Sequence, residues 1–505
     1  MHRSLIAGTR RDVISPVFCW LLRPAALLTL MLAAAVSYSA DASSRNKLLL
    51  LSDIHFNPIA DTSLLHDLWT AAPAQWEAIL QRSKLTAFSR YGQDTNWWLL
   101  RSALDQMQAN LPSPALIIFT GDLLAHSFRA KYVSAAGDNT GEHYRAFVLK
   151  TVEFLALELR KRFNSIPILL TPGNNDDDCG DYAVEPNGAF LNDTADLVSD
   201  LAKGDDELRH DWRMLGSYTT PHPTVQKLRM ISLNTVFLSN LYKPQAFSTG
   251  CQPARSNAAA DLLAWLRVRL DSARQHNEHI WLMFHIPPGI DGYATTHPHG
   301  EAPQSSGAPG AESCPAQIVP MWVPEWTAQF VSLLVNYRDV VIAGFAGHTH
   351  MDDFRLIHAK AANDAFVLIT PAISPIYDQN PSFRIVNFRS NGAVVGESTY
   401  YLTNLKEATS TNRGRWKREY RFSHGWKVPQ LDLNSLAKID SEVQNAAKAR
   451  DQWVKLYMVS STADAFSPTV ARGLYCAIRS LDPASYQACY CPATVTNTAS
   501  PTPKF

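Results

Sequence analysis

The 505-residue sequence lacks net charge: Lys+Arg and Asp+Glu are both 46. No long-range field is available to draw in nucleic acid or an anionic membrane surface, so a partner must be recognised by local chemistry. No Cys-x-x-Cys pair occurs, which removes the common thiolate zinc modules. No uninterrupted apolar run reaches the roughly 20 residues of a membrane span. Internal repeats and low-complexity blocks are also missing. What is present is the apolar and charged balance of an ordinary globular protein, long enough for one large domain with an appendage.

The first residues read as an export signal, 1–42. Arg3, Arg10, Arg11 and Arg23 supply positive charge, Ala25 to Val36 is apolar, and small residues allow cleavage after Ser39 or Ala42. An uncleaved anchor starting at Val17 would have to cross Arg23 and Pro24. The expected destination is secreted or periplasmic. Cys19 would leave with the signal, and the six cysteines left are an even number suited to disulfides in an exported chain.

Apolar runs then alternate with helical patterns. Lys47–Ser52 reads as a central strand and delivers Asp53-Ile54-His55. A helical stretch is expected over Trp69–Phe88 and another over Leu99–Asn110. Ala115–Thr120 is the second strand and ends in Gly121-Asp122, with His126 four residues on. Tyr144–Phe163 reads as a helix. Pro167–Thr171 is the third strand and ends in Gly173-Asn174-Asn175-Asp176. Leu228–Leu233 is a fourth strand. Ala258–Gln275 follows as a helix, and the strand His279–Phe284 ends at His285. Asp339–Ile342 leads into Gly347-His348-Thr349-His350. On extended backbone, side chains at i and i+2 leave from one face, so both imidazoles are expected to point the same way. Strands are expected at Phe366–Thr370, Phe383–Phe388 and Val394–Tyr401, and a helical region at Leu433–Val459. The β-helix-β order implies an α/β core with its ligand edge at the carboxyl ends of the strands.

Those strand ends carry Asp53, His55, Asp122, Asn174, His285, His348 and His350. Seven imidazole, carboxylate and amide ligands are too many for one ion and suit two, with Asp122 as the bridge. A set without thiolate suits Zn²⁺, Mn²⁺ or Fe.

The ordered series Asp-x-His, Gly-Asp, Gly-Asn-x-Asp, His, Gly-His-x-His resembles the calcineurin-like metallophosphoesterase superfamily. Gly121-Asp122-x-x-Ala125-His126, His285-Ile286-Pro287-Pro288-Gly289 and Tyr91-Gly92-x-Asp94 are similar to its acid sphingomyelinase-like phosphodiesterase branch, without the saposin domain. The resemblance implies a four-layer α/β/β/α sandwich over 43–404 and a helical C-terminal part over 405–505. It implies two divalent ions, usually Zn²⁺. Asp53, His55, Asp122 and His350 would hold one, and Asp122, Asn174, His285 and His348 the other. It also implies hydrolysis of a phosphoester with His126 protonating the departing oxygen. Cys476 and Cys489 have a spacing seen in that branch. Asn175 replaces the histidine that normally contacts the phosphate and helps the leaving group depart. The same Gly-Asn-Asn-Asp variant is similar to endopolyphosphatases. A nucleotide phosphatase and a non-catalytic binding protein on the same scaffold are the other readings. Around these residues, Asp176, Asp177 and Asp178 are expected in a solvated acidic loop. His297 and His299 are expected as loop residues, Trp322 and Trp326 in the core, and Tyr91 and Asp94 as structural.

Overall fold

The computed structural model describes residues 46–138, 143–242, 251, 257–297, 314–315, 317–358, 364–462 and 466–491. The expected signal at 1–42, Cys19 and His299 lie outside the described residues.

Strands β1 (Lys47–Leu51), β2 (Leu116–Phe119) and β3 (Ile168–Leu170) run parallel. Each is an apolar run with almost no exposed residue, as a sheet covered on both faces requires. The next six are β4 (Tyr218–Pro221), β5 (Leu228–Leu233), β6 (His279–Phe284), β7 (Val341–Ala346), β8 (Asp353–Ile357) and β9 (Ala365–Ile369). They form a second sheet in the order β4-β5-β6-β7-β9-β8, parallel in its centre and antiparallel at both edges. Then β10 (Ser382–Phe388), β11 (Val394–Leu402) and β12 (Trp416–Arg421) return to the first sheet, ordered β12-β11-β10-β1-β2-β3.

The sheets face each other. Trp281 of β6 meets Phe388 of β10 edge-on at 5.2 Å, and its indole N–H donates to Gly392 O across the interface. Tyr218 of β4 donates to Leu170 O of β3 at 2.9 Å. Helices Ala258–Gln275 and Pro324–Asn336 pack on the second sheet's side, and Trp97–Asn110 with Tyr144–Arg162 on the first sheet's side. The result is the expected α/β/β/α sandwich with helices in its C-terminal region. The six cysteines among the described residues are paired, as Cys179–Cys251, Cys314–Cys491 and Cys476–Cys489. Among the described residues no helix is long and apolar enough to cross a membrane.

Three expectations change. Trp69–Phe88 is not one helix: Leu65–Thr70 and Trp76–Leu80 are separated where Ala71 and Ala72 turn extended before Pro73. The proline ring clashes with a helical residue in front of it. The basic, aromatic stretch 412–426, expected in the helical part, supplies edge strand β12. Asp176, Asp177 and Asp178 are buried: Asp176 accepts backbone N–H groups at the site and Asp177 accepts that of Cys179.

A buried charge cluster ties β12 to the rest. The Arg384 guanidinium donates to Asp352 and lies 3.4 Å from Glu397, while Thr399 and Tyr420 also donate to Asp352. Burial, and then Asp352, push the nearby Glu419 carboxyl up to about 8. Burial pushes Glu397 up to about 7 against the pull of Arg384. A carboxyl whose folded pKa is raised favours folding below its unfolded pKa, and that contribution is lost as pH climbs through the folded value. The melting temperature is therefore expected to fall between about pH 5 and pH 9, and Glu419→Gln to reduce that fall by about 1–3 °C. Thermal melts across that range check it, and identical profiles for both proteins would contradict it.

Candidate metal centre

All seven expected ligands arrive at one place, at the carboxyl ends of the strands. β1 delivers Asp53 and His55, β2 delivers Asp122, β3 delivers Asn174, β6 delivers His285 and β7 delivers His348 and His350. Ligand atoms of Asp53, His55 and Asp122 lie within 4.8 Å of one another, and so do those of Asp122, His285 and His348.

The backbone there is not extended. Asp53, His55, Asp122, His348 and His350 all have left-handed φ between 44° and 73°. Such conformations cost a non-glycine residue on the order of 1 kcal/mol or more each. The surrounding chain fixes them: Asp53 and His55 donate their N–H groups to Gly121 O and Asp122 O at 3.0 Å, and His350 O accepts from Ala372 at 3.0 Å. Strand alternation is thus not what brings His348 and His350 together. They lie past the end of β7 and serve different halves: His350 sits 3.1 Å from His55, and His348 sits 3.3 Å from His285.

Two glycines permit the approach. A Cβ on Gly347 would stand 1.9 Å from Ser52 Oγ and 2.7 Å from Asp53 Oδ2, and one on Gly173 would stand 2.1 Å from Asp122 Oδ1.

The orientation of each ring is set from behind. His55 Nδ1 donates to Leu124 O at 2.9 Å and His285 Nδ1 to Thr120 O at 2.7 Å, so both Nε2 atoms turn inward. Asn174 donates its Nδ2 to Asp181 Oδ1 at 2.7 Å, which leaves its Oδ1 facing His285 Nε2 at 3.0 Å. His55 Nε2 faces His350 Nε2. Inward-facing lone pairs at these separations need a proton or a cation between them. Asp53 Oδ1 is fully buried and has no hydrogen-bond partner. Asp122 Oδ2 lies 3.3 Å from His55 Nε2 and 3.2 Å from His285 Nε2, so one oxygen addresses both halves.

Electrostatics agree with an anionic hole. Burial opposes charge on Asp53, but His350, His285 and His55 outweigh it and hold the carboxyl well below the usual range. Burial likewise opposes charge on His55 and His285, yet Asp122 foremost pulls both up to about 9. Burial, reinforced by His285, pushes His348 down to about 4. In the bare protein, protons occupy the positions that the donor set would give to divalent cations.

His126 stands beside the first half, its ring stacked on His55 with centroids 3.8 Å apart. Its Nδ1 is 2.8 Å from Asp94 Oδ1, and Lys131 Nζ is 3.0 Å from Asp94 Oδ2. Asp94, expected to be structural only, therefore fixes which nitrogen of His126 is free. Asn175 faces Asp122: its N–H donates to Oδ1 and its Nδ2 to Oδ2, both at 2.9 Å. Asp176 accepts from the N–H groups of Asp122 at 3.0 Å, Leu123 at 2.6 Å and Gly173 at 2.7 Å. Those backbone donors lie 53 and 54 residues away for Leu123 and Asp122, which is why the acidic run looks solvated in the sequence. Trp322 is core as expected and Trp326 packs against the core. A cavity opens next to His348, walled by Tyr182, Tyr293, Tyr377, Arg355, Tyr457 and Leu474.

A calcineurin-like phosphoesterase family model matches residues 47–352. The chain belongs to this family. A model of the acid sphingomyelin phosphodiesterase C-terminal region matches residues 361–495. The calcineurin-like chain is thus a phosphoric ester hydrolase of the acid sphingomyelinase-like branch. The family's site is dinuclear, and the candidate ligands for it are present here. Among relatives, "Cyclic GMP-AMP phosphodiesterase SMPDL3A" of Mus musculus is 24% identical over 419 residues, covering 78% of this chain and 81% of the mouse protein. "Sphingomyelin phosphodiesterase B" of Dictyostelium discoideum is 28% identical over 242 residues, 46% of this chain. The chain spans 31% of that enzyme's length. A dimetal phosphatase from Danio rerio aligns in structure at TM-score 0.36 and 11% identity, over 74% of this chain and 98% of that one.

Proposed function

We propose that this hydrolase cleaves phosphodiesters at a pair of divalent ions, most simply Zn²⁺, with Mn²⁺ and Fe as alternatives. The observation that carries this reading is the convergence of fixed inward lone pairs on the shared Asp122 carboxylate. Asp53, His55, Asp122 and His350 would hold one ion, and Asp122, Asn174, His285 and His348 the other. When bound, such a pair supplies Lewis-acid polarisation of the phosphoryl oxygens and a water acidified to a pKa of about 7. The printed names of the mouse and slime-mould relatives support a phosphodiester as substrate.

The chain's own residues supply the rest. Asp94 holds His126 by Nδ1, so Nε2 is the atom that carries a proton to the departing oxygen. Asn175 cannot act as an acid. Its two hydrogen bonds hold the Asp122 carboxylate in place, and the proton donor's task falls to His126. That same substitution favours, as a second reading, a phosphoanhydride whose leaving group needs no protonation. The catalytic unit is taken as 43–404 and the helical unit as 405–505, although β12 belongs to the first sheet. Three disulfides fit an oxidising compartment. They agree with the leader expected at 1–42 and with export to the periplasm or the medium.

Metal removal followed by re-addition tests the reading. Chelation is expected to abolish hydrolysis of bis(4-nitrophenyl) phosphate, and Zn²⁺ or Mn²⁺ to restore it. A panel of sphingomyelin, a cyclic dinucleotide and polyphosphate then ranks the substrates. Two ions bound with no turnover on any of these would favour a binding protein instead.

A further inference from the structure

The second half of the metal centre is supported by one short segment, 177–182, whose Asp181 and Tyr182 no sequence pattern singles out. Asp181, exposed at the mouth of the site, accepts the Asn174 amide at 2.7 Å. An asparagine ligand has two similar ends, and something must decide which faces the ion. A carboxylate takes the NH₂ end and leaves only the oxygen. Tyr182 adds two contacts. Its N–H donates to Asn174 O at 2.9 Å, and its hydroxyl lies 3.5 Å from His348 Nε2, with the rings edge-on. Among the described residues no hydrogen bond or ring contact joins either one to Asp53, His55 or His350, and Asp181 reaches His55 and the shared Asp122 only through its charge.

The segment is itself built to stay put. Gly180 and Tyr182 have positive φ, 117° and 57°. Buried Asp177 accepts the Cys179 N–H at 2.7 Å, and Cys179 is tied to Cys251 across 72 residues. Sulfur, turn and carboxylate therefore hold Asp181 against Asn174.

We propose that Asp181 is a positioning residue that, with Tyr182, sets the affinity of one of the two ions, the one at Asn174, His285 and His348, and leaves the other unaffected. This rests on the dimetal reading. The test is calorimetric titration of metal-free protein with Zn²⁺, with total bound metal counted by elemental analysis. Wild type is expected to take up two ions. Asp181→Ala is expected to weaken one of them by about 10–100-fold and to leave the other at its wild-type value. Asp181→Asn keeps an acceptor oxygen and is expected to retain most of the affinity. Tyr182→Phe, which removes only the hydroxyl, is expected to weaken the same ion to a smaller degree. Thermal melts of the metal-free variants identify any that fail to fold, and Tyr182→Phe then carries the test. Two ions in wild type with Asp181→Ala unchanged, or with both ions weakened equally, overturn this inference alone. Asp181→Asn behaving like Asp181→Ala also overturns it. Fewer than two ions in wild type overturns the dimetal reading, and this inference with it.

Discussion

Asp122→Asn is expected to leave a folded protein that has lost most of its bound metal and about 10³-fold or more of its kcat/KM. The wild-type carboxylate presents Oδ2 to both His55 and His285, so its charge is shared between the halves. An amide removes that charge. It also creates a conflict, because both carboxylate oxygens accept from Asn175, one from its N–H and one from its side chain. Whichever end of the substituted side chain carries the NH₂ group meets a donor, and a buried donor without an acceptor costs about 1–3 kcal/mol. Elemental analysis and hydrolysis rates on one preparation check this. An undiminished rate with full metal content would contradict the assignment of Asp122.

His126→Ala is expected to show a loss that depends on the leaving group. A positioned general acid contributes about 10²–10⁴-fold, and its value grows as the departing oxygen becomes more basic. With Asn175 unable to share the task, the full effect falls on one residue. An alkyl phosphodiester should lose nearly all of that factor, while a 4-nitrophenyl ester should be hardly affected. Metal content should stay at the wild-type level, because His126 is outside the seven proposed ligands. A uniform loss on both esters, or a loss of metal, would instead mean that the stacked ring supports His55.

The parts of the fold that are legible in the sequence are those whose burial is continuous. β5 and β6 occupy the expected residues, and β1, β2 and β3 differ by a residue at their ends. A strand covered on both faces must be apolar throughout, and such runs are visible without partners. β8 escapes a sequence reading because Asp353 and Arg355 interrupt its pattern. They pair with each other inside the core, so the polarity does not mark a surface. β12 escapes it because a half-exposed edge strand can carry charge. The proposed ligands and His126 are legible as an ordered series of residue types, whereas the contacts that hold them in place are not. Asp94 meets His126 across 32 residues and Asp176 meets Leu123 across 53. Short acidic side chains with such distant partners look like ordinary surface residues until the chain is folded.

The cavity wall beside His348 has a consequence for anyone trimming this enzyme. Tyr457 and Leu474 come from the last hundred residues, and Cys491 is bonded to Cys314 in the segment leaving the His285 strand. A shortened version ending near 404 would lose β12 and the Tyr420 contact to Asp352, so the first sheet's edge would be uncovered together with the cavity. It would keep every proposed chelating side chain and yet lose part of the cavity wall beside His348. Material produced in a reducing cytoplasm would approach the same condition with its full length intact.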